Sequence, residues 1–165
     1  MHIVLFQPEI PPNTGNIARL CAATGTALHL IEPLGFSLED RYLRRAGLDY
    51  WPHVNLSVWP DLAAYLSGPG QGRRLVATSA KGGCPVQRMA FSPADSLLFG
   101  PETRGLPDDV LALTTWRVCI PQMINTVRSL NLSTSAGIIL YQALFTTGET
   151  DNWPPNSHSA HGGKA

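Results

Sequence analysis

The chain carries no net charge, since 12 Lys and Arg balance 12 Asp and Glu over 165 residues. A polyanion or an anionic membrane finds no global attraction here, so any such partner has to be met by a local patch. Cysteine is scarce and odd in number. Cys21, Cys84 and Cys119 stand far apart, with no CxxC and no histidine at metal-ligand spacing. That argues against a disulfide framework and reads as reduced, buried small side chains in a cytoplasmic protein. No apolar run approaches the length of a membrane span, and the opening MHIVLFQPEIPP meets proline too soon for a signal peptide. The sequence also has no P-loop lysine motif, no GxSxG elbow, no HExxH and no GxGxxG after its first apolar run. ATP hydrolysis, serine hydrolysis and zinc proteolysis therefore lack their parts. His158 and His161 lie in a stretch with no carboxylate or thiol frame, and no metal is expected.

Short apolar runs alternating with helical patterns fill most of the remainder. His2 to Phe6, Ala27 to Ile31, Asn55 to Trp59, Leu75 to Ser79, Ser96 to Phe99 and Arg117 to Ile120 read as strands. Asn13 or Thr14 can cap a first helix that ends at Gly25, Ser37 opens a short one, Asp61 to Leu66 is another, and one more follows Pro107. The expected fold is α/β, a mainly parallel sheet flanked by helices on both faces. The segment SGPGQG at 67–72 reads as a flexible surface connection. One domain covers 1–147, and 148–165, rich in Gly, Pro, Ser and His, reads as a mobile tail.

Three polar segments follow predicted strands, at the edge where ligands bind in open α/β sheets. PPNTGNIAR, Pro11 to Arg19, offers Asn13, Asn16 and Arg19 around Gly15; a helix start with an incidental surface arginine would leave the same letters. LLFGPETRGLP, Leu97 to Pro107, runs a buried strand into Gly100 and then presents Glu102 and Arg104, which a turn held by their mutual ion pair would also explain. IPQMINTVRSLNLSTSAG, from Ile120 to Gly137, places Arg128, Ser129, Asn131 and Ser133 before a last helix, and could equally be a capping loop. That helix is apolar on more than one side. Leu132, Ala136, Ile139 and Ala143 form one stripe with Ile138, Tyr141 and Phe145 beside it, which suits a deep core or a second subunit.

In order and spacing these segments resemble the three motifs of the SPOUT (SpoU–TrmD) RNA methyltransferases. IVLFQPEIPPNTGNIARLCAATG, LHLIEPLGF and RRAGLDYW resemble one branch of that family, the small tRNA 2′-O-methyltransferases acting on the wobble nucleotide, position 34, of leucine tRNAs. The likeness covers Met1 to Phe145. It departs at IPQMINTVRS, where Gln122 stands between Pro121 and Met123. The resemblance implies a C-terminal trefoil knot, a homodimer with its active site completed across the interface, and S-adenosylmethionine as cofactor. By motif, backbone groups around Thr78, Gly100, Ile120 and Ser129, with Leu130 nearby, would hold that cofactor. Arg19 matches the arginine treated as catalytic in the family, with Asn13 holding its neighbourhood.

The implied reaction is methyl transfer to the 2′-hydroxyl of cytidine or modified uridine at position 34. A guanidinium stays charged, so Arg19 suits a phosphate clamp and charge stabiliser better than a base. Arg41, Arg44 and Arg45, and the pair Arg73 and Arg74, are the expected phosphate patches. Another tRNA or ribosomal RNA position, or a non-catalytic RNA-binding module of the same fold, remains open at this point.

Overall fold

The middle of the molecule is dictated by short runs of Ile, Val, Leu and Phe that have no polar side to show to water. The computed structural model describes residues 1–38, 50–80, 82–114, 116–124 and 126–154. In chain order the elements are β1 (His2–Phe6), α1 (Pro11–Thr24), β2 (Ala27–Ile31), a 3-10 turn (Trp51–His53), β3 (Leu56–Trp59), α2 (Leu62–Ser67), β4 (Arg74–Thr78), β5 (Cys84–Pro85), a second 3-10 turn (Val86–Arg88), β6 (Asp95–Phe99), α3 (Asp108–Ala112), β7 (Trp116–Cys119) and α4 (Leu132–Thr146). The seven strands form one sheet in the order β3-β2-β1-β6-β4-β7-β5. Every pairing is parallel. Strands sandwiched between helices lose the alternation of a half-exposed sheet, and β6 is accordingly buried at all five positions.

Side chains of successive strand residues enter opposite layers. Ile3, Leu5, Leu97 and Phe99 pack with Ile17, Ala18 and Cys21 of α1 and Ala136, Ile139, Leu140 and Leu144 of α4. Val4 and Leu98 pack on the other face with Leu62 and Tyr65 of α2 and Val110 of α3. Chain order reverses between β1 and β6, and the loops leaving these two strands are joined by hydrogen bonds between Glu102 and the amide of Glu9 and between Thr103 and the Glu9 carboxylate.

Local details correct several expectations. The first helix starts at Pro11 rather than at an Asn13 or Thr14 cap; Ile10 is the N-cap and makes no side-chain cap bond. Two prolines fit a first turn because its N–H groups have no helical partner in any case. Asn13 and Thr14 are thereby drawn inside and buried. The far end is as expected, with Gly25 left-handed at φ 67°. The turn at 67–72 is packed rather than slack. The Gly70 amide donates to the Tyr65 carbonyl at 2.9 Å, and a Cβ on Gly70 would stand 2.6 Å from the Tyr65 ring.

Arg73 and Arg74, expected as a phosphate patch, are committed elsewhere. Both Nε and Nη2 of Arg74 donate to the Asp95 carboxylate at 2.7 Å, and its guanidinium lies 4.6 Å from the centre of the Trp116 ring. Arg73 donates to the carbonyls of Pro93 and Asp95. A fully buried aspartate needs a cation beside it, and that need overrides availability to a ligand. Cys21, Cys84 and Cys119 are free thiols, the first buried and pushed up to about 12 by that burial. After Thr146 the chain continues as turns through 152, and Trp153 meets Tyr141 edge to face. Arg41, Arg44 and Arg45, the helix expected from Ser37, and residues 155–165 lie outside the described residues.

Candidate active site

The loops that follow β4, β6 and β7 surround one cavity of about 1260 Å³ at the carboxyl edge of the sheet. All five residues expected to hold a cofactor, Thr78, Gly100, Ile120, Ser129 and Leu130, line it, and so does Asn13. Adjacent parallel strands bring them together: Thr78 ends β4 beside Val118 of β7, and Gly100 follows β6, which pairs with β4. Phe99, Leu106, Val118, Leu132 and Ile139 give the cavity an apolar floor. The loop after β6 folds tightly on itself. A side chain on Gly100 would collide with the backbone of Gly105 and Leu106, and Gly105 itself is left-handed at φ 73°.

A chain of hydrogen bonds ties the three motif loops together. Glu102 accepts from the amide of Glu9 at 2.8 Å, from the amide of Ile10 at 3.3 Å and from Asn13 Nδ2 at 3.1 Å. Asn13 Oδ1 in turn accepts from Asn131 Nδ2 at 2.9 Å. Asn131 then caps α4, its Oδ1 accepting from the amides of Ser133 and Thr134. Glu9 returns the contact, accepting from the amide and the hydroxyl of Thr103, both at 2.9 Å. Those two bonds hold the Glu9 carboxyl below the usual carboxylate range. Glu102 and Arg104 thus do not pair with each other, as a simple turn would have them do. Each reaches back to the loop after β1 instead, Arg104 to Gln7 Oε1 at 2.7 Å.

This arrangement revises the part of Asn13. Its side-chain oxygen and an amide N–H are both engaged and the residue is 5% exposed, so Asn13 positions the loops around it. Arg19 does not line the cavity. It is exposed on α1, with its guanidinium 5.3 Å from the centre of the Tyr50 ring, while the Tyr50 hydroxyl donates to the Gly15 carbonyl at 2.8 Å. Burial pushes the Tyr50 phenol up, against the opposing charge of Arg19. Glu102 and Asn131 are the linking residues; the sequence offered Glu102 only Arg104 as a partner and Asn131 only its capping place, which the structure bears out. Their contacts span about 90 and 118 positions of chain, and the only local signal was their place in polar loops after strands.

Residues 1–141 match the SpoU rRNA Methylase family. The chain belongs to that family. A tRNA (cytidine(34)-2′-O)-methyltransferase of Methylovorus glucosotrophus is 54% identical over 146 residues, spanning 86% of this chain and 92% of that protein. A solved structure described for the 2-OH methylation of C/U34 on tRNA superposes with a TM-score of 0.83 at 50% identity, covering 88% of this chain and 94% of its own. The SpoU methyltransferase AviRb of Streptomyces viridochromogenes, solved with AdoMet, is 26% identical with a TM-score of 0.79 over 88% of this chain and 59% of its own.

The donor set suits the cofactor of a SpoU methylase. The apolar floor lies beside the strand ends at Thr78, Gly100 and Ile120, a lining of the kind a flat ring and a polar tail need. The volume exceeds the roughly 300–1,000 Å³ of common ligand sites, which leaves room for part of a second molecule. Among the described residues, no three His, Cys, Asp or Glu side chains are grouped to hold a metal ion, and no helix is long and apolar enough to cross a membrane.

Proposed function

We propose that this SpoU methylase transfers a methyl group from S-adenosylmethionine to the 2′-hydroxyl of the ribose at position 34, cytidine or modified uridine, of leucine tRNAs in the cytoplasm. The observation that carries the reading is the convergence of three motif loops on one cavity, in a chain 54% identical to a protein named for that reaction on cytidine 34. When bound, the cofactor supplies a methyl group already activated on a sulfonium, so positioning accounts for much of the rate. Thr78, Gly100, Ile120, Ser129 and Leu130 hold it against the apolar floor. A hydroxyl is a weak nucleophile, and Arg19 fixes the neighbouring phosphate and stabilises the negative charge that develops on the oxygen.

Arg19 lies outside the cavity of its own chain, which supports a homodimer in which it serves the partner's cavity. The outward side of α4 suits such an interface, since Ile138 and Phe145 are 40% and 59% exposed with Tyr141 beside them. Dimerisation would also double the arginines at 41, 44 and 45, which we assign to tRNA phosphates. The family likeness supports a C-terminal knot formed as α4 follows β7. The domain at 1–147 carries all of these functions, with 148–165 as its tail.

Incubation with labelled S-adenosylmethionine and total tRNA lacking the modification, followed by mapping of the labelled nucleotide, tests the proposal. Label at the wobble ribose of leucine tRNAs is the expected result. Label at another position would overturn the substrate, and cofactor binding without any label would favour an RNA-binding module.

A further inference from the structure

Three guanidiniums line the cavity with most of their donors unspent. Arg117, on β7, gives one bond to the Leu111 carbonyl at 3.4 Å; the other two stand on the motif loops. Arg104 gives one bond to Gln7 Oε1 at 2.7 Å, and Arg128 gives one to the Thr103 carbonyl at 3.3 Å. A guanidinium has five N–H donors in a planar fork, and both side chains are exposed. The carboxylates nearby are committed: Glu102 to the amides of Glu9 and Ile10 and to Asn13, and Glu9 to Thr103. Asp108 also lines the cavity, at the start of α3 where its charge favours the helix end. Val127, next to Arg128 in the cavity lining, is 60% exposed, and earlier in the same loop after β7 Met123 and Ile124 are 100% and 62% exposed, an apolar lip. Apolar side chains so exposed mark a surface that something covers.

We propose that Arg104 and Arg128, with the lip of Met123, Ile124 and Val127, seat the nucleotide next to the methylated one, the guanidiniums on its phosphates and the lip against its base. This rests on the reading of the site as an RNA methyltransferase and assigns the substrate contacts of that site. A splayed single-stranded nucleotide asks for such a combination of a face to pack on and cations beside it. The core of a protein interface is instead depleted of charge, which disfavours a second copy as the occupant.

The test compares wild type with Arg104→Gln/Arg128→Gln and with Met123→Ser/Ile124→Ser, using a leucine tRNA anticodon stem-loop. The arginine variant should bind the stem-loop at least about tenfold more weakly, and the slope of log affinity against log salt should fall by about 2 as two phosphate contacts are lost. The serine variant should lose affinity with an unchanged salt slope. Sedimentation and S-adenosylmethionine titration accompany both. Unchanged affinity and slope in the arginine variant, beside normal methylation by wild type, overturn the seat and leave the enzymatic reading intact. A dimer that dissociates in the serine variant shows the lip to be a subunit contact, and loss of cofactor affinity in the arginine variant places those side chains on the cofactor; either overturns the proposal. Methylation by wild type at another position, with the affinity losses as expected, would keep the seat and refute the wobble assignment. Wild type that binds no RNA overturns both.

Discussion

Two single residues, Arg19 and Glu102, are expected to matter most, one for the reaction and one for the loops around it. Lysine in place of Arg19 keeps the charge but loses the planar fork, so Arg19→Lys should lower turnover by about a hundredfold, the scale of losing one transition-state donor. Cofactor affinity, followed by calorimetry, should stay as in wild type; undiminished turnover would remove Arg19 from the reaction. Glu102 accepts three hydrogen bonds from the loop after β1. A glutamine there presents an amide N–H group to donors, so Glu102→Gln should cost about 1–3 kcal/mol of stability in a denaturant titration and loosen Asn13 with it. A titration curve that superposes on wild type would show that the link between the loops is dispensable.

Much of the order of strands and helices is legible in the sequence. The continuous apolar runs IVLF and SLLF suit strands buried on both faces, and the alternation of strand and helix implies a parallel sheet. The glycines and polar residues after β6 and β7 marked the cavity edge. Other features were hidden for physical reasons. β5 is two residues long and has no periodicity to detect. α1 begins on prolines, where side-chain capping rules do not apply. Arg73 and Arg74 looked free because their partner Asp95 lies about 21 positions away and becomes acceptable only when buried against them. Asp95 has 0% of its side chain exposed and accepts from Arg74 and from the Ser92 amide. Asp95→Ala leaves Arg74, 25% exposed, able to reach water, and should therefore cost about 1–3 kcal/mol, the range for unmaking buried hydrogen bonds, read as a lowered midpoint in urea. A midpoint within error of wild type would show that the pair contributes little.

At the scale of the whole molecule, the layer opposite the α1 and α4 side holds a cluster that links stability to pH. His2 and His29 lie with ring centres 4.6 Å apart; His2 Nδ1 meets the Tyr65 hydroxyl at 3.0 Å, and Trp59 Nε1 donates to His29 Nδ1 at 3.1 Å. Burial, reinforced by the charge of Arg73, lowers both imidazoles from 6.5 to about 4. Between those values the unfolded chain binds more protons than the folded one, so stability is lost as pH falls through that window and its histidine-linked loss levels off below it. Glu9, whose carboxyl is also lowered, adds to the loss at the acid end. Thermal unfolding from pH 7.5 down to 4 should show a steadily falling Tm, and a flat profile would contradict the buried neutral pair.

In the proposed reaction one ribose hydroxyl, that of nucleotide 34, receives the methyl group. Two synthetic leucine anticodon stem-loops that differ only in a 2′-deoxy substitution at position 34 put this to the test. Transfer of labelled methyl to the ribose form and none to the deoxy form is predicted. Equal labelling of both would contradict the account, because the methyl would then be going to a different atom.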